Sequence, residues 1–187
     1  MLNLKIFIVM KRLLMLVALL SISTMAMAQE QEHKLVRRNW YVDAGMKFSS
    51  VLTDNVDKMF DMVEEDCTVG YDFNKRWGMY VPLLYSRAHY PKSLTYQEFA
   101  FVGLGGKFMY YEIGRARSYI AASAYTSLGQ DAWGGAMAYE LSLWEEVGDF
   151  YYSVGVKYFD PRNSVAPNRW CISASVGVRF GFYKRVK

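Results

Sequence analysis

The chain has 187 residues, room for one domain with a sizeable core. Lys and Arg number 22 against 18 Asp and Glu, and 52% of the residues are hydrophobic. Lys5, Lys11 and Arg12 fall in a segment expected to be removed, so the remainder is close to neutral and gives no argument for nucleic-acid binding. Cys67 and Cys171 are too few for a disulfide scaffold, and their strand parities differ, which argues against pairing them.

The N-terminus reads as an export signal. From Met10 a basic start (Lys11, Arg12) leads into an apolar core from Leu13 to Ile22. Ala26-Met27-Ala28 then forms a small-x-small cleavage site before Gln29. Residues 1–28 are therefore expected to be a signal peptide with Met10 as the functional start, and the alternative is a retained membrane anchor. No cysteine stands at the cleavage site, so a lipoprotein is not expected. After Ala28 no run stays apolar for about 18 residues, as a membrane helix would need. Residues 29–38 are a polar lead holding His33, whose expected state is solvated.

Eight strands are predicted from period-two alternation. The first spans Asn39 to Ser49, with Trp40, Val42, Ala44, Met46 and Phe48 against Tyr41, Asp43, Gly45, Lys47 and Ser49. A long loop with Asp54, Asp57 and Asp61 follows, and its acids continue through Glu64, Glu65 and Asp66 without the ordered spacing of a calcium loop. They are expected to be solvated. Strand two runs from Glu65 to Phe73, and Asn74-Lys75-Arg76 is a tight turn. Strand three is Trp77 to Ser86. Pro82 lies inside it and lacks a donor, which predicts a bulge or a missing ladder bond.

Arg87 to Gln97 is expected to be the second long loop. Strand four covers Glu98 to Tyr111, with Lys107 inward and with Phe99 and Phe101 on the inward parity. Strand five is Ser118 to Gly129, and the loop after it, Gln130 to Trp133, is short. Strand six spans Gly134 to Glu145 and carries Glu140; a helical period also half-fits there. Glu146 to Asp149 should turn. Strand seven is Phe150 to Phe159, with Lys157 inward, and a loop from Asp160 to Asn168 precedes the last strand.

That last strand, Trp170 to Phe182, alternates over thirteen residues. This is longer than most strands in soluble domains and enough to cross a bilayer at a tilt. Within it Ser175-Val-Gly177-Val-Arg-Phe180-Gly-Phe182 resembles the C-terminal assembly signal of bacterial outer-membrane β-barrels. It departs from that pattern in the Tyr183-Lys-Arg-Val-Lys187 that follows. An even strand number lets the last strand close on the first, and only helices or closed barrels can span lipid. The predicted fold is therefore all-β, an eight-stranded antiparallel up-and-down transmembrane barrel over residues 39–183, with a short basic tail at 184–187. The alternative is a soluble β-sandwich. Aromatic girdles are expected at Trp40, Phe73, Trp77, Tyr110, Phe150, Phe180 and Phe182 on the periplasmic side, and at Phe48, Tyr85, Tyr158 and Trp170 on the outer side.

Asp43, Lys47, Asp72, Lys107, Glu140, Lys157 and Arg179 all fall on the inward parity. An eight-strand barrel is just wide enough for side chains to fill, so these predict an ion-paired plug in the lumen. The mature chain resembles the small outer-membrane barrels of Gram-negative bacteria, OmpA/OmpX-type barrels and the outer membrane protein beta-barrel domain proteins common in Bacteroidota. The resemblance implies export through the Sec pathway, location in the outer membrane, outer-membrane lipid and the barrel assembly machinery as partners, a monomer and no cofactor.

Three functions are open. The first is a non-enzymatic surface, adhesion or envelope-integrity protein, whose loops offer Asp54, Asp57, Arg87, His89, Lys92, Arg162 and Arg169 to a surface ligand not yet identified. The second is a small solute or ion channel, which a charge-plugged lumen opposes. The third is a lipid A-modifying enzyme, which would need a histidine beside a serine or acid near the rim. His89 with Ser93 is the weak local candidate.

Overall fold

The computed structural model describes residues 35–52, 61–90, 95–128, 135–162 and 168–185. They form eight strands in chain order: β1 Leu35–Val51, β2 Asp61–Asp72, β3 Trp77–Tyr90, β4 Thr95–Ile113, β5 Ala116–Leu128, β6 Met137–Val147, β7 Phe150–Asp160 and β8 Arg169–Arg185. Every strand pairs antiparallel with its sequence neighbour, and β1 pairs with β8, with Ala44 opposite Val178, so the sheet closes into a barrel without edges. The expected eight-stranded up-and-down barrel is the observed fold. β6 is a strand throughout, and its burial alternates residue by residue, which settles the helical alternative there.

Several boundaries differ from those expected. β2 starts at Asp61, so Glu64 and Asp66 belong to its inward face and are buried, whereas a solvated acidic loop was expected. β3 runs on to Tyr90 and β4 starts at Thr95. The segment expected as the second long loop is thus mostly strand, with Arg87 opposite Glu98. Glu146 lies in β6 rather than in a turn, and it too is buried. β1 takes residues 35–38 from the expected lead, and β8 takes 184–185 from the expected tail. The signal peptide, His33, Asp54, Asp57, Lys92 and Ser93 lie outside the described residues.

One barrel end carries tight turns. The β4–β5 and β6–β7 connections are Gly114-Arg115 and Gly148-Asp149, and each glycine takes the positive φ that the first position of such a turn requires. In the β2–β3 turn the Asn74 carboxamide oxygen accepts from the backbone N–H of Arg76 and of Trp77, at 2.8 and 2.9 Å. The start of β1 and the end of β8 lie at this short-turn end. At the other end the connections are 52–60, 91–94, 129–136 and 161–168. The short one among them follows β3, not β5.

Pro82 behaves as its chemistry predicts. The β3–β4 ladder pairs Tyr80 with Gly105 and Leu83 with Val102 but skips the positions between, with no change of register. The missing donor removes ladder bonds without forcing a bulge. Bulges occur elsewhere, at Met109/Tyr111 in β4 and between Arg37 and Tyr41 in β1.

Candidate functional site

Inward parity places a polar column inside the barrel. Nearest the short-turn end, Arg179 on β8 grips Asp43 on β1 with two parallel bonds, Nε to Oδ1 at 2.6 Å and the second nitrogen to Oδ2 at 2.5 Å. Its third nitrogen reaches Glu146 on β6, which also accepts from the Tyr119 hydroxyl. The planar guanidinium fork is what allows both carboxylates to be held at once. Lys107 on β4 pairs with Asp72 on β2 at 2.9 Å. The Tyr41 ring serves both cations: Arg179 and Lys107 each lie 4.0 Å from its centroid.

Further along the axis come rings. Tyr80 packs on Trp144 at 4.9 Å between centroids, and Trp144 stacks on Tyr151 at 6.0 Å. Beside them the Asp66 carboxylate accepts from the Thr68 and Tyr151 hydroxyls, at 2.8 and 3.4 Å. The large inward tyrosines fit because small residues face them. Tyr41 stands opposite Gly70, Tyr80 opposite Gly105, Tyr125 opposite Gly103 and Tyr151 opposite Gly177. A Cβ at any of these glycines would meet the facing ring. The sequence alternation of large and small inward residues is therefore a packing code.

Next comes a second charged layer. Lys47 on β1 donates to Glu140 on β6 at 2.7 Å, and Glu140 also accepts from Tyr125 at 3.0 Å and Ser173 at 2.7 Å. Lys157 on β7 donates to both oxygens of Glu64 on β2, and Ser86 and Ser49 donate to the same carboxylate. These pairs join strands that are not neighbours, so they cross the lumen. Each carboxylate has its lone pairs largely satisfied, the condition under which buried charge is tolerated. Above this layer, toward the long-loop end, Met62, Leu84, Phe99, Phe101, Ala136, Ala138 and Phe159 form an apolar cap. Phe99 and Phe101 thus fill the lumen.

All seven predicted inward charges lie inside the barrel, and the structure joins them as Arg179–Asp43, Lys47–Glu140 and Lys107–Asp72, with Lys157 going to Glu64. Sequence reasoning missed Glu64, Asp66 and Glu146. Parity counted back from Thr68 would have found the first two, and parity counted on from Trp144 the third. Ser175, in the terminal motif, faces inward and bonds Ser153 at 2.6 Å, Gly177 stands opposite Tyr151, and Phe180 is exposed on the outer wall. The side chain of Phe182 lies outside the described residues.

The outer wall is apolar. Leu141, Leu104, Val176 and Leu143 are each more than half exposed there, although nothing about a water-soluble surface would favour it. Trp40, Phe73, Trp77, Tyr110 and Phe150 ring the short-turn end, all outward and at least 50% exposed. Phe48, Tyr85, Tyr158 and Trp170 lie toward the other end. Cys67 is on this outer wall and Cys171 is buried inside, so the barrel wall separates them.

The loop candidates divide. Arg87 is exposed on β3 and lies 3.4 Å from Glu98 and 3.6 Å from Glu65. Arg162 is exposed beside Asp160. Arg169, by contrast, is buried at the start of β8 rather than displayed on a loop. His89 stands in β3 opposite Asp61. Among the described residues no three His, Cys, Asp or Glu side chains converge as metal ligands would. A concavity of about 270 Å³ opens at the short-turn mouth, lined by Asn39, Asp72, Lys75, Arg76, Trp77, Arg117 and Tyr119 among others.

No protein family's sequence profile matches the chain, and no curated protein sequence matches it. Solved structures do. The N-terminal β-barrel domain of Pseudomonas aeruginosa OprF is 13% identical over 78% of this chain and 100% of its own, with a TM-score of 0.48. Ail, the attachment invasion locus protein of Yersinia pestis, is 15% identical over 76% of this chain and 99% of its own, with a TM-score of 0.42. The same outer membrane protein in a phospholipid bilayer nanodisc gives 16%, 75%, 98% and 0.43.

Proposed function

We propose that the chain is a non-enzymatic outer-membrane β-barrel that anchors its long-loop end at the cell surface, with a lumen closed by its own side chains. The observation that carries this reading is the inversion of polarity: charges are ion-paired inside, and large apolar residues cover the outside. Water-soluble domains do the opposite, whereas a wall facing lipid needs this arrangement. The belt on β8 runs from Trp170 to Phe180, matching the span of a tilted transmembrane strand. The short turns then face the periplasm, with the start of β1 and the end of β8. The lipid is one partner. Ser175, Gly177, Phe180 and Phe182 form the signal read by the barrel assembly machinery, after Sec-dependent export of a chain whose residues 1–28 are removed.

The plugged lumen favours surface presentation over solute passage. Two ion-paired layers, a ring stack and an apolar cap lie in series along the axis, and this packing supports a lumen that passes no solute. The reading predicts a monomer that shifts on an SDS gel when boiled, shows a β-rich spectrum and enters lipid vesicles. In planar bilayers it should pass no steady current. A steady ohmic conductance would replace the closed-lumen reading with that of a channel. A chain that is soluble without detergent and unshifted by boiling would remove the membrane reading altogether.

A further inference from the structure

We infer that the short-turn end of the barrel is a docking surface for anionic phospholipid headgroups in the leaflet where it sits. The inference rests on the membrane-spanning reading above. Lys75 and Arg76 in the β2–β3 turn and Arg115 in the β4–β5 turn are exposed, and none of the three makes an ion pair with a described residue. At the opposite end the exposed bases Arg87 and Arg162 have acidic neighbours: Arg87 lies between Glu65 and Glu98, and Arg162 lies beside Asp160. The two ends therefore differ in available charge, not merely in loop length.

The backbone of the closing strands reaches the same end, where Leu35 pairs with Arg185 and Val36 with Lys184. Only the β6–β7 turn, with Asp149, interrupts the series. Glu112 is already committed to Arg117 at 2.8 Å, so it does not cancel the unpaired bases.

Depth selects a lipid over a soluble polyanion. Lys75 and Arg76 sit between Phe73 and Trp77, both outward and 56% exposed, and Arg115 comes two residues after the exposed Ile113. At roughly 3.3 Å per residue the turn tips lie within about 7 Å of the aromatic ring. Aromatic rings of this kind mark the interface, so the charges fall at phosphate depth and cannot project far beyond it. Guanidinium groups bind phosphate oxygens through two parallel bonds, and three exposed bases on two adjacent turns attract an anionic surface over about a Debye length. Phosphodiester headgroups carrying net negative charge fit this surface, while zwitterionic ones lack the charge.

The test uses the full chain in detergent, with equal amounts of phosphatidylglycerol and phosphatidylcholine added, and counts bound lipid by native mass spectrometry. The wild type should retain phosphatidylglycerol preferentially. The variant K75Q/R76Q/R115Q should lose that preference by about fivefold per charge removed. The variant R87Q/R162Q should keep it. A shift on boiling confirms that each variant is folded. If the triple variant fails that check, R115Q alone must lower the preference about fivefold. Equal retention of the two lipids by the wild type would overturn the inference. So would a preference that survives the substitutions, or displacement of phosphatidylglycerol by polyglutamate, which would point to a soluble acidic partner. A chain that enters bilayers without lipid preference defeats this inference alone, whereas one that never enters them defeats the membrane reading beneath it.

Discussion

Lys157 on β7 places its ammonium 2.6 Å from one oxygen and 2.8 Å from the other of Glu64 on β2, with neither side chain exposed. The pair crosses the lumen between strands far apart in the ladder. Its charges are buried, so its value to the fold depends on both partners being present.

Glu64→Gln keeps the shape but leaves the Lys157 ammonium facing a neutral amide. The expected cost is about 3–5 kcal/mol, the usual penalty for stranding one buried charge. Replacing both partners together, Glu64→Leu with Lys157→Met, should recover most of that loss, since apolar groups of similar volume need no counter-charge. Urea unfolding in lipid vesicles measures both. A Glu64→Gln barrel within about 1 kcal/mol of wild type would mean that the layer is hydrated and contributes little.

Arg179→Lys tests geometry at constant charge. Lysine cannot reproduce the two-bond grip on Asp43 while also holding Glu146. The loss should be about 2 kcal/mol, the scale of one or two charge-assisted hydrogen bonds. A lysine variant as stable as wild type would show that charge balance, not the fork, holds this end of the lumen.

Gly70→Ala and Gly106→Ala form a contrasting pair. A Cβ at Gly70 would run into the Tyr41 ring, which is pinned by two cations and cannot easily swing aside. Overpacking of this kind costs about 1–3 kcal/mol. At Gly106 the nearest atom to a new Cβ is the Gly78 carbonyl oxygen, 3.9 Å away, so alanine should be neutral or stabilising by up to about 1 kcal/mol. Equal effects at the two sites would contradict the ring-over-glycine packing.

The strands and their faces were legible because alternation with period two survives in every one of them, and each inward charge found from parity is inside. The partners were less legible. Ladder register puts Lys47 directly opposite Glu64, and Glu140 opposite Lys157, yet each lysine bonds the glutamate on the farther strand. Barrel curvature brings non-neighbouring strands together, and a linear pattern carries no record of that. Glu64, Asp66 and Glu146 were missed for a different reason. Acidic residues near strand ends have the composition of loops, and it is partners on distant strands, Lys157 for Glu64, Arg179 for Glu146 and the Tyr151 hydroxyl for Asp66, that make them interior. A loop-like composition also hid the extension of β3 from Arg87 to Tyr90 and of β4 back to Thr95.

Leu141→Arg distinguishes a lipid-facing wall from a water-facing one. Leu141 lies midway along β6, is 61% exposed, and has Val156 and Ala122 as its outward ladder neighbours. On a soluble protein an exposed leucine replaced by arginine changes stability by no more than about 0.5 kcal/mol, because the new charge is simply hydrated. At mid-depth in a bilayer the same guanidinium must reach water through hydrocarbon, at about 2–4 kcal/mol. The control is Asp160→Arg, at the end of β7 nearest the loops, which should cost less than about 1 kcal/mol. Unfolding titrations in vesicles would show a graded cost if the belt faces lipid. Equal, negligible costs at both positions would mean that the apolar wall is covered by something other than membrane.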